Sequence, residues 1–200
     1  MRYTSDEVNF EEMNLWIIDE RLAYHNFLAS DKRMRELPQI DTESMERMDI
    51  AIFDEALSFA DKDQPYNSIT IIEFKRPFRE GLNKPDSDPI RQVLRYVQEI
   101  KDGKQKKANG RPFGNVDSSA FYCYIIADLT DSMVEAAKGS GLNPTPDREG
   151  FFGYNQNYGA YIEVISYDKL LKDAKERNQV LFDKLFKASP REIIAGDSES

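Results

Sequence analysis

Cysteine and histidine are nearly missing from this chain: its 200 residues include one of each, and one tryptophan. A lone cysteine, Cys123, forms no internal disulfide, and one cysteine with one histidine cannot supply the ligand set of a structural zinc site. Long apolar runs are also lacking. Tyr122-Cys123-Tyr124-Ile125-Ile126-Ala127 is typical of those present and falls well short of the ~20 residues a membrane-spanning helix needs. The opening Met1-Arg2-Tyr3-Thr4-Ser5-Asp6-Glu7 shows no basic, apolar and small-residue succession of a secretory leader. Neither G-x-x-x-x-G-K-[ST] nor G-x-G-x-x-G occurs, so any nucleotide-driven motor is expected on another chain or on a domain outside this sequence. Repeats and low-complexity tracts are absent. The expectation is a cytoplasmic α/β domain with no membrane partner.

Hydrophobic residues make up 40% of the chain and aromatics 12%, enough for a well-buried core in one domain. That domain is expected over residues 1–189, with 190–200 as an acidic, disordered tail. The net charge is −9, which disfavours a polyanionic partner on most of the surface. One segment runs against that trend. From Lys75 to Arg111 eleven Lys/Arg face five acids, so a polyanion could be accepted along a single basic edge. The alternative is a solvated charged face.

Apolar spacing predicts a long, buried helix from about Phe10 to Ser30, with Trp16, Ala23 and Phe27 on one face. Glu20 falls within that stripe, where a carboxylate needs a hydrogen bond, an ion pair or a metal. His25 lies one turn beyond Glu20 and reads as a core or surface residue, since no nucleophile is paired with it. Two strands follow. Met48–Phe53 alternates with period two and puts Asp49, Ala51 and Phe53 on one face. Ser68–Lys75 is rich in β-branched residues and puts Ile69, Ile71, Glu73 and Lys75 on one face. Asp88-Pro89 is an N-cap followed by proline, opening a helix with Ile90, Val93, Leu94 and Val97 inward and Arg91, Gln92, Arg95, Tyr96 and Glu99 outward. A polar loop is expected over 101–117, a core strand over Phe121–Ala127 and a short helix capped by Thr130. A hairpin follows over Phe151–Tyr154 and Ala160–Ser166. The final helix, about Tyr167–Lys187, would turn Leu170, Leu171, Ala174, Leu181 and Leu185 inward. The order implies a mixed sheet with helices on both sides.

The chemistry concentrates at Asp49 and Glu73-Phe74-Lys75. Acid-x-Lys occurs four times, at Glu73, Glu99, Asp102 and Asp173, but only Glu73-Phe74-Lys75 lies in an apolar β-run. There, period two holds acid and lysine on one face, about 6–7 Å apart. Charged residues are depleted from strand interiors unless something retains them. Asp49, Glu73 and the carbonyl of Phe74 offer hard oxygens suited to Mg²⁺ or Mn²⁺, with Lys75 beside them to orient or deprotonate a bound water. The bland alternative is a pair of partly buried ion pairs at a sheet edge.

Met48-Asp49 followed by Glu73-Phe74-Lys75 resembles the core motif of the PD-(D/E)xK nuclease superfamily, which has the restriction-endonuclease-like fold. Glu20 is similar to the acid on the helix before the first core strand of that family. Gln92-Val93-Leu94-Arg95-Tyr96 resembles the Q-x-x-x-Y helix of its RecB-type members. The resemblance spans roughly residues 10–130; Met48 departs from it, since the family usually has proline there. It implies an α/β, restriction-endonuclease-like mixed sheet flanked by helices on both sides. It further implies a Mg²⁺-dependent phosphodiesterase acting on nucleic acid, with DNA the expected substrate, in restriction, repair or phage defence. Asp49 and Glu73 would hold the metal, Lys75 would place the water, and Glu20 and Gln92 would support the site. Asp54, five residues on and on the opposite face, is the less favoured first ligand.

For the grip on nucleic acid, the basic stretch offers Arg76, Arg95, Lys104, Lys106, Lys107 and Arg111, with Tyr96 to stack a base. Two alternatives stand beside the nuclease: a non-catalytic binding module of the same fold, and a module dependent on a partner ATPase. Association into a homodimer is left open. An intact Asp/Glu/Lys set favours catalysis, since a module without catalysis has no need of all three.

Overall fold

The computed structural model describes Ile18 and residues 27–37, 40–55, 66–105 and 119–187. Among these, nine strands and three α-helices form in the order β1 (Phe27–Arg33), β2 (Ile40–Asp41), β3 (Arg47–Glu55), β4 (Tyr66–Phe74), α1 (Pro89–Asp102), β5 (Lys104–Gln105), β6 (Ala120–Ile126), α2 (Asp131–Gly139), β7 (Asn143–Pro144), β8 (Gly150–Asn155), β9 (Ala160–Ile165) and α3 (Tyr167–Lys187). A seven-stranded sheet has the order β1-β3-β4-β6-β9-β8-β7, and β2 pairs with β5 apart from it. The pairs β4·β6 and β6·β9 are parallel, and the remaining neighbours in the sheet are antiparallel. This is the mixed α/β architecture the sequence leads one to expect.

Each strand divides its side chains between two cores, as period two requires. On one face, Ala51, Phe53, Ile69, Ile71, Phe121, Cys123 and Ile125 pack with Ile90, Val93 and Val97 of α1 and Met133 and Ala137 of α2. On the other, Ile52, Ile72, Tyr124 and Ile126 pack with Ile18 and with Leu170 of α3. Helices therefore cover both faces. Cys123 is fully buried, and burial pushes its thiol up to about 12, so it is the inert core residue expected. No helix among the described residues is long and apolar enough to cross a membrane.

Several elements depart from the sequence reading. Residues 27–30, expected at the end of a helix, belong to β1, where antiparallel pairing with β3 overrides a local pattern rich in Leu and Ala. Ile18 sits in a turn, and the rest of the expected helix, including Glu20 and His25, lies outside the described residues. Lys101 and Asp102 extend α1, and Lys104 opens β5 opposite Asp41, so the polar loop begins later than expected. On α3, Leu170 and Ala174 are buried but Leu171 is 59% exposed. It lies one residue, about 100° of helical rotation, beyond the buried position. The tail at 190–200 lies outside the described residues.

What positions the site is the start of α1. Asp88 is buried and accepts from the amides of Ile90 (2.8 Å) and Arg91 (3.2 Å), with Pro89 at the first helical position. That cap sets the phase at which α1 presents Gln92 and Tyr96 to the sheet. Asp88→Ala should cost about 1–2 kcal/mol of stability, measured as a lower urea midpoint with an unchanged m-value; no change would remove the cap from this role.

Candidate active site

The parity of the β3–β4 hairpin assembles the cluster. Ala51 pairs with Ile71 and Ile50 with Ile72, and continuing that register by one residue puts Asp49 opposite Glu73 on the α1-covered face. The site thus lies where β4 ends. Lys75, one residue past the strand, donates its amide to Ile126 O at 2.9 Å, so the ladder with β6 carries on beyond Phe74. Ligand sites in parallel sheets commonly lie at this carboxyl end.

Glu73 and Lys75 are both buried, 5% and 6% exposed, and Lys75 Nζ lies 2.7 Å from Glu73 Oε1. Isolated charges would not tolerate such burial. Gln92 of α1 completes the arrangement. Its Oε1 accepts from Lys75 Nζ at 2.6 Å and its Nε2 donates to Glu73 Oε1 at 2.9 Å. The amide orientation follows from what stands behind it. Tyr96 OH donates to the carbonyl of Arg47 at 2.6 Å, which can only accept. The phenol oxygen must therefore accept, and Gln92 turns its NH₂ group toward Tyr96 and its carbonyl toward the lysine. One polar chain joins the start of β3, two turns of α1 and the end of β4.

Asp49 enters from the neighbouring strand, and its Oδ2 accepts the amide of Phe74 at 2.8 Å, the residue between Glu73 and Lys75. Burial raises the pKa of Glu73 most; the Lys75 ammonium opposes this and the Asp49 charge adds to it. Glu73 Oε2 is buried without a hydrogen-bond partner. A buried carboxylate oxygen left this way is costly unless a cation or proton meets it. Among the described residues, no group of three or more His, Cys, Asp or Glu gathers that could hold a metal. The described donors here are two carboxylates and a backbone carbonyl.

Two segments, the start of α3 and the stretch after β6, hold the chain just past Lys75. Tyr167, the first residue of α3, donates its OH to Lys75 O at 2.7 Å. Its phenol is pushed up by burial and by the nearby carboxylates of Asp128 and Asp49. Asp128 Oδ2 accepts the amide of Phe78 at 2.7 Å, and Thr130 Oγ1 donates to Arg79 O at 3.3 Å. Arg79 N donates to Arg76 O at 3.3 Å, closing the turn Arg76-Pro77-Phe78-Arg79. Phe78 has φ 56°, in the left-handed region where a bulky side chain costs about 1–2 kcal/mol and glycine is preferred.

The structure brings together Asp49, Glu73, Lys75 and Gln92, and the Phe74 peptide sits among them. Glu20, Lys106, Lys107 and Arg111 lie outside the described residues, as does the side chain of Lys104. Arg76 is exposed, while Arg95 is half-exposed and pairs with Glu46 at 3.6 Å. Tyr96 needs correction. It was expected outward, ready to stack a base, but it is fully buried and serves as the hydrogen-bond relay behind Gln92. Amphipathic phase marks it as polar, yet its ring belongs to the core and only its OH is committed. Asp128 and Tyr167 were not anticipated, being 50 residues from Phe78 and 92 from Lys75 respectively in the chain. No family model, curated protein or solved structure matches this chain.

Tyr96→Phe keeps the ring and deletes the relay, leaving the Arg47 carbonyl unpaired and Gln92 free to flip. It should cost about 1–3 kcal/mol, read as a lower melting temperature. A stability equal to wild type would show that the relay does not hold Gln92.

Proposed function

We propose that this chain is a Mg²⁺- or Mn²⁺-dependent nuclease of the PD-(D/E)xK type that hydrolyses phosphodiester bonds in DNA. The observation carrying this reading is the buried Glu73–Lys75–Gln92 cluster, whose Glu73 Oε2 has no partner. A chain that only needed a stable sheet end would gain by replacing a buried ion pair with apolar side chains. Retaining it, with one carboxylate oxygen uncommitted and a second carboxylate on the next strand, fits a site that takes up a cation.

Asp49, Glu73 and the carbonyl of Phe74 would hold the metal, which is compatible with the habit of Mg²⁺ of taking few protein oxygens and keeping waters. When bound, the cation would supply Lewis acidity toward a phosphoryl oxygen and neutralise charge developing there. The chain's own contribution lies in Lys75. Two of its three N–H donors are engaged by Glu73 and Gln92, and the third is available to a water or a phosphate oxygen. Gln92 fixes the ammonium from behind, so the donor is positioned before substrate arrives. Hydrolysis joins the water oxygen to phosphorus and breaks the P–O bond to the leaving sugar oxygen, which takes up a proton.

Thermal unfolding with Mn²⁺ or Mg²⁺ tests the metal without reference to cleavage. Wild type should melt at a higher temperature as the cation is added, and Asp49→Asn should remove most of that rise. An equal rise in both proteins would place the cation elsewhere.

Cleavage tests the reaction. Wild type should cut DNA only with a divalent cation, and Glu73→Gln or Lys75→Met should abolish it. Removing one charge strands the other in a buried site at about 3–5 kcal/mol, so lost activity alone is ambiguous. The double variant Glu73→Gln/Lys75→Met should regain stability and remain inactive. Wild type that cuts neither DNA nor RNA would favour the non-catalytic module, or one needing a partner ATPase.

A further inference from the structure

Of the seven basic residues from Lys75 to Lys101, all of them described, four are already occupied. Lys75 is buried against Glu73, Arg91 pairs with Asp88, Arg95 pairs with Glu46, and Lys101 donates to Tyr158 O. Arg76, Arg79 and Lys84 are exposed, and none of them forms an ion pair with another described residue. Arg76 and Arg79 bracket the turn with Phe78 near its tip. Glu80 and Asp86 are exposed close by in the chain, so the positive charge is concentrated at the turn and does not extend over the whole loop.

Phe78 is 83% exposed, the highest value among the large exposed hydrophobic side chains of the described residues. It also occupies a backbone conformation suited to glycine. Neither burial nor backbone preference accounts for phenylalanine here. The surroundings nevertheless fix it. Proline leads the turn, the Asp128 carboxylate binds the Phe78 amide, and Thr130 binds the Arg79 carbonyl. A rigid turn therefore presents an aromatic ring to solvent between two arginines. The Cα of Phe78 is three residues from that of Lys75 and so no more than about 11 Å from it.

We infer that Phe78 is a stacking residue that takes an unpaired base of the DNA strand next to the bond to be cut, while Arg76 and Arg79 hold the flanking phosphates. This rests on the nuclease reading. Every base offers a π-face, so such a contact grips a strand without reading its sequence. A blunt duplex keeps its bases stacked internally and gains nothing from the ring. The arrangement thus selects single-stranded or frayed DNA.

The test uses the full chain with a single-stranded oligonucleotide containing 2-aminopurine and with a blunt duplex, in EDTA and again in Ca²⁺. Wild type should bind the single strand with a change in 2-aminopurine fluorescence. Phe78→Ala should weaken that binding roughly tenfold or more and lose the fluorescence change; Phe78→Trp should restore both, and duplex binding should not move. Arg76→Ala/Arg79→Ala should instead flatten the salt dependence by about one and a half log–log units. Unchanged melting temperatures would establish that the variants fold. If Phe78→Ala binds the single strand as wild type does, or weakens the duplex equally, the stacking role is overturned while the nuclease reading stands. If wild type neither binds nucleic acid nor cuts it with Mg²⁺, both fall.

Discussion

A charged pair taken out of water at the end of β4 is the constraint around which the site is built. Glu73 and Lys75 are almost wholly buried, and their mutual attraction alone would not offset the loss of hydration. The remainder comes from partners that cannot be moved independently. Gln92 serves both charges, Tyr96 sets the orientation of Gln92, and the Arg47 carbonyl sets that of Tyr96. The ion pair thus depends on α1 being docked at one height and one rotation. Asp88 caps that helix four residues before Gln92, and Ile90, Val93 and Val97 pin it to the sheet. Packing on one face and polar geometry at the sheet end form one coupled system.

A second layer acts on the backbone. Asp49 takes the amide of Phe74, Tyr167 donates to the carbonyl of Lys75, and Asp128 takes the amide of Phe78. These three side chains come from β3, from the start of α3 and from the segment after β6. They converge because the parallel run β4-β6-β9 brings the carboxyl ends of its strands to one edge of the sheet. The positive φ of Phe78 is tolerated on this account, since the turn is held from outside and does not need to be the intrinsic preference of its own residues.

Much of this was legible wherever local pattern and tertiary packing ask for the same thing. Period two in Met48–Phe53 placed Asp49 on a face with Ala51 and Phe53, and in Ser68–Lys75 it placed Glu73 and Lys75 together; the hairpin register makes these the same face. Asp88-Pro89 marked the start of α1, and turn residues between Phe151 and Ser166 marked a hairpin. The reading failed where a distant partner decides. Phe27–Ser30 carry a helical pattern, and only the ladder with β3 makes them a strand; even there, Asp31 at φ 56° interrupts pairing between Ser30 and Lys32. Tyr96 looked outward on a helical wheel, because a wheel cannot show that the Arg47 carbonyl waits beneath it. Asp128 and Tyr167 gave no signal, since their partners are backbone atoms and any residue has those.

The two layers also differ in what they require of the residues they hold. Lys75 and Glu73 each require the other once one of them is buried, although apolar side chains in place of both would serve the fold as well. Phe78 is under no such demand. Its amide and the neighbouring carbonyls would make the same hydrogen bonds with glycine in its place, and glycine would relieve the backbone. Stability therefore argues against phenylalanine at this position, whereas it requires partners for Glu73 and Lys75. A side chain kept against the preference of the fold, beside a buried charge cluster with one uncommitted oxygen, is where requirements other than folding are most readily read.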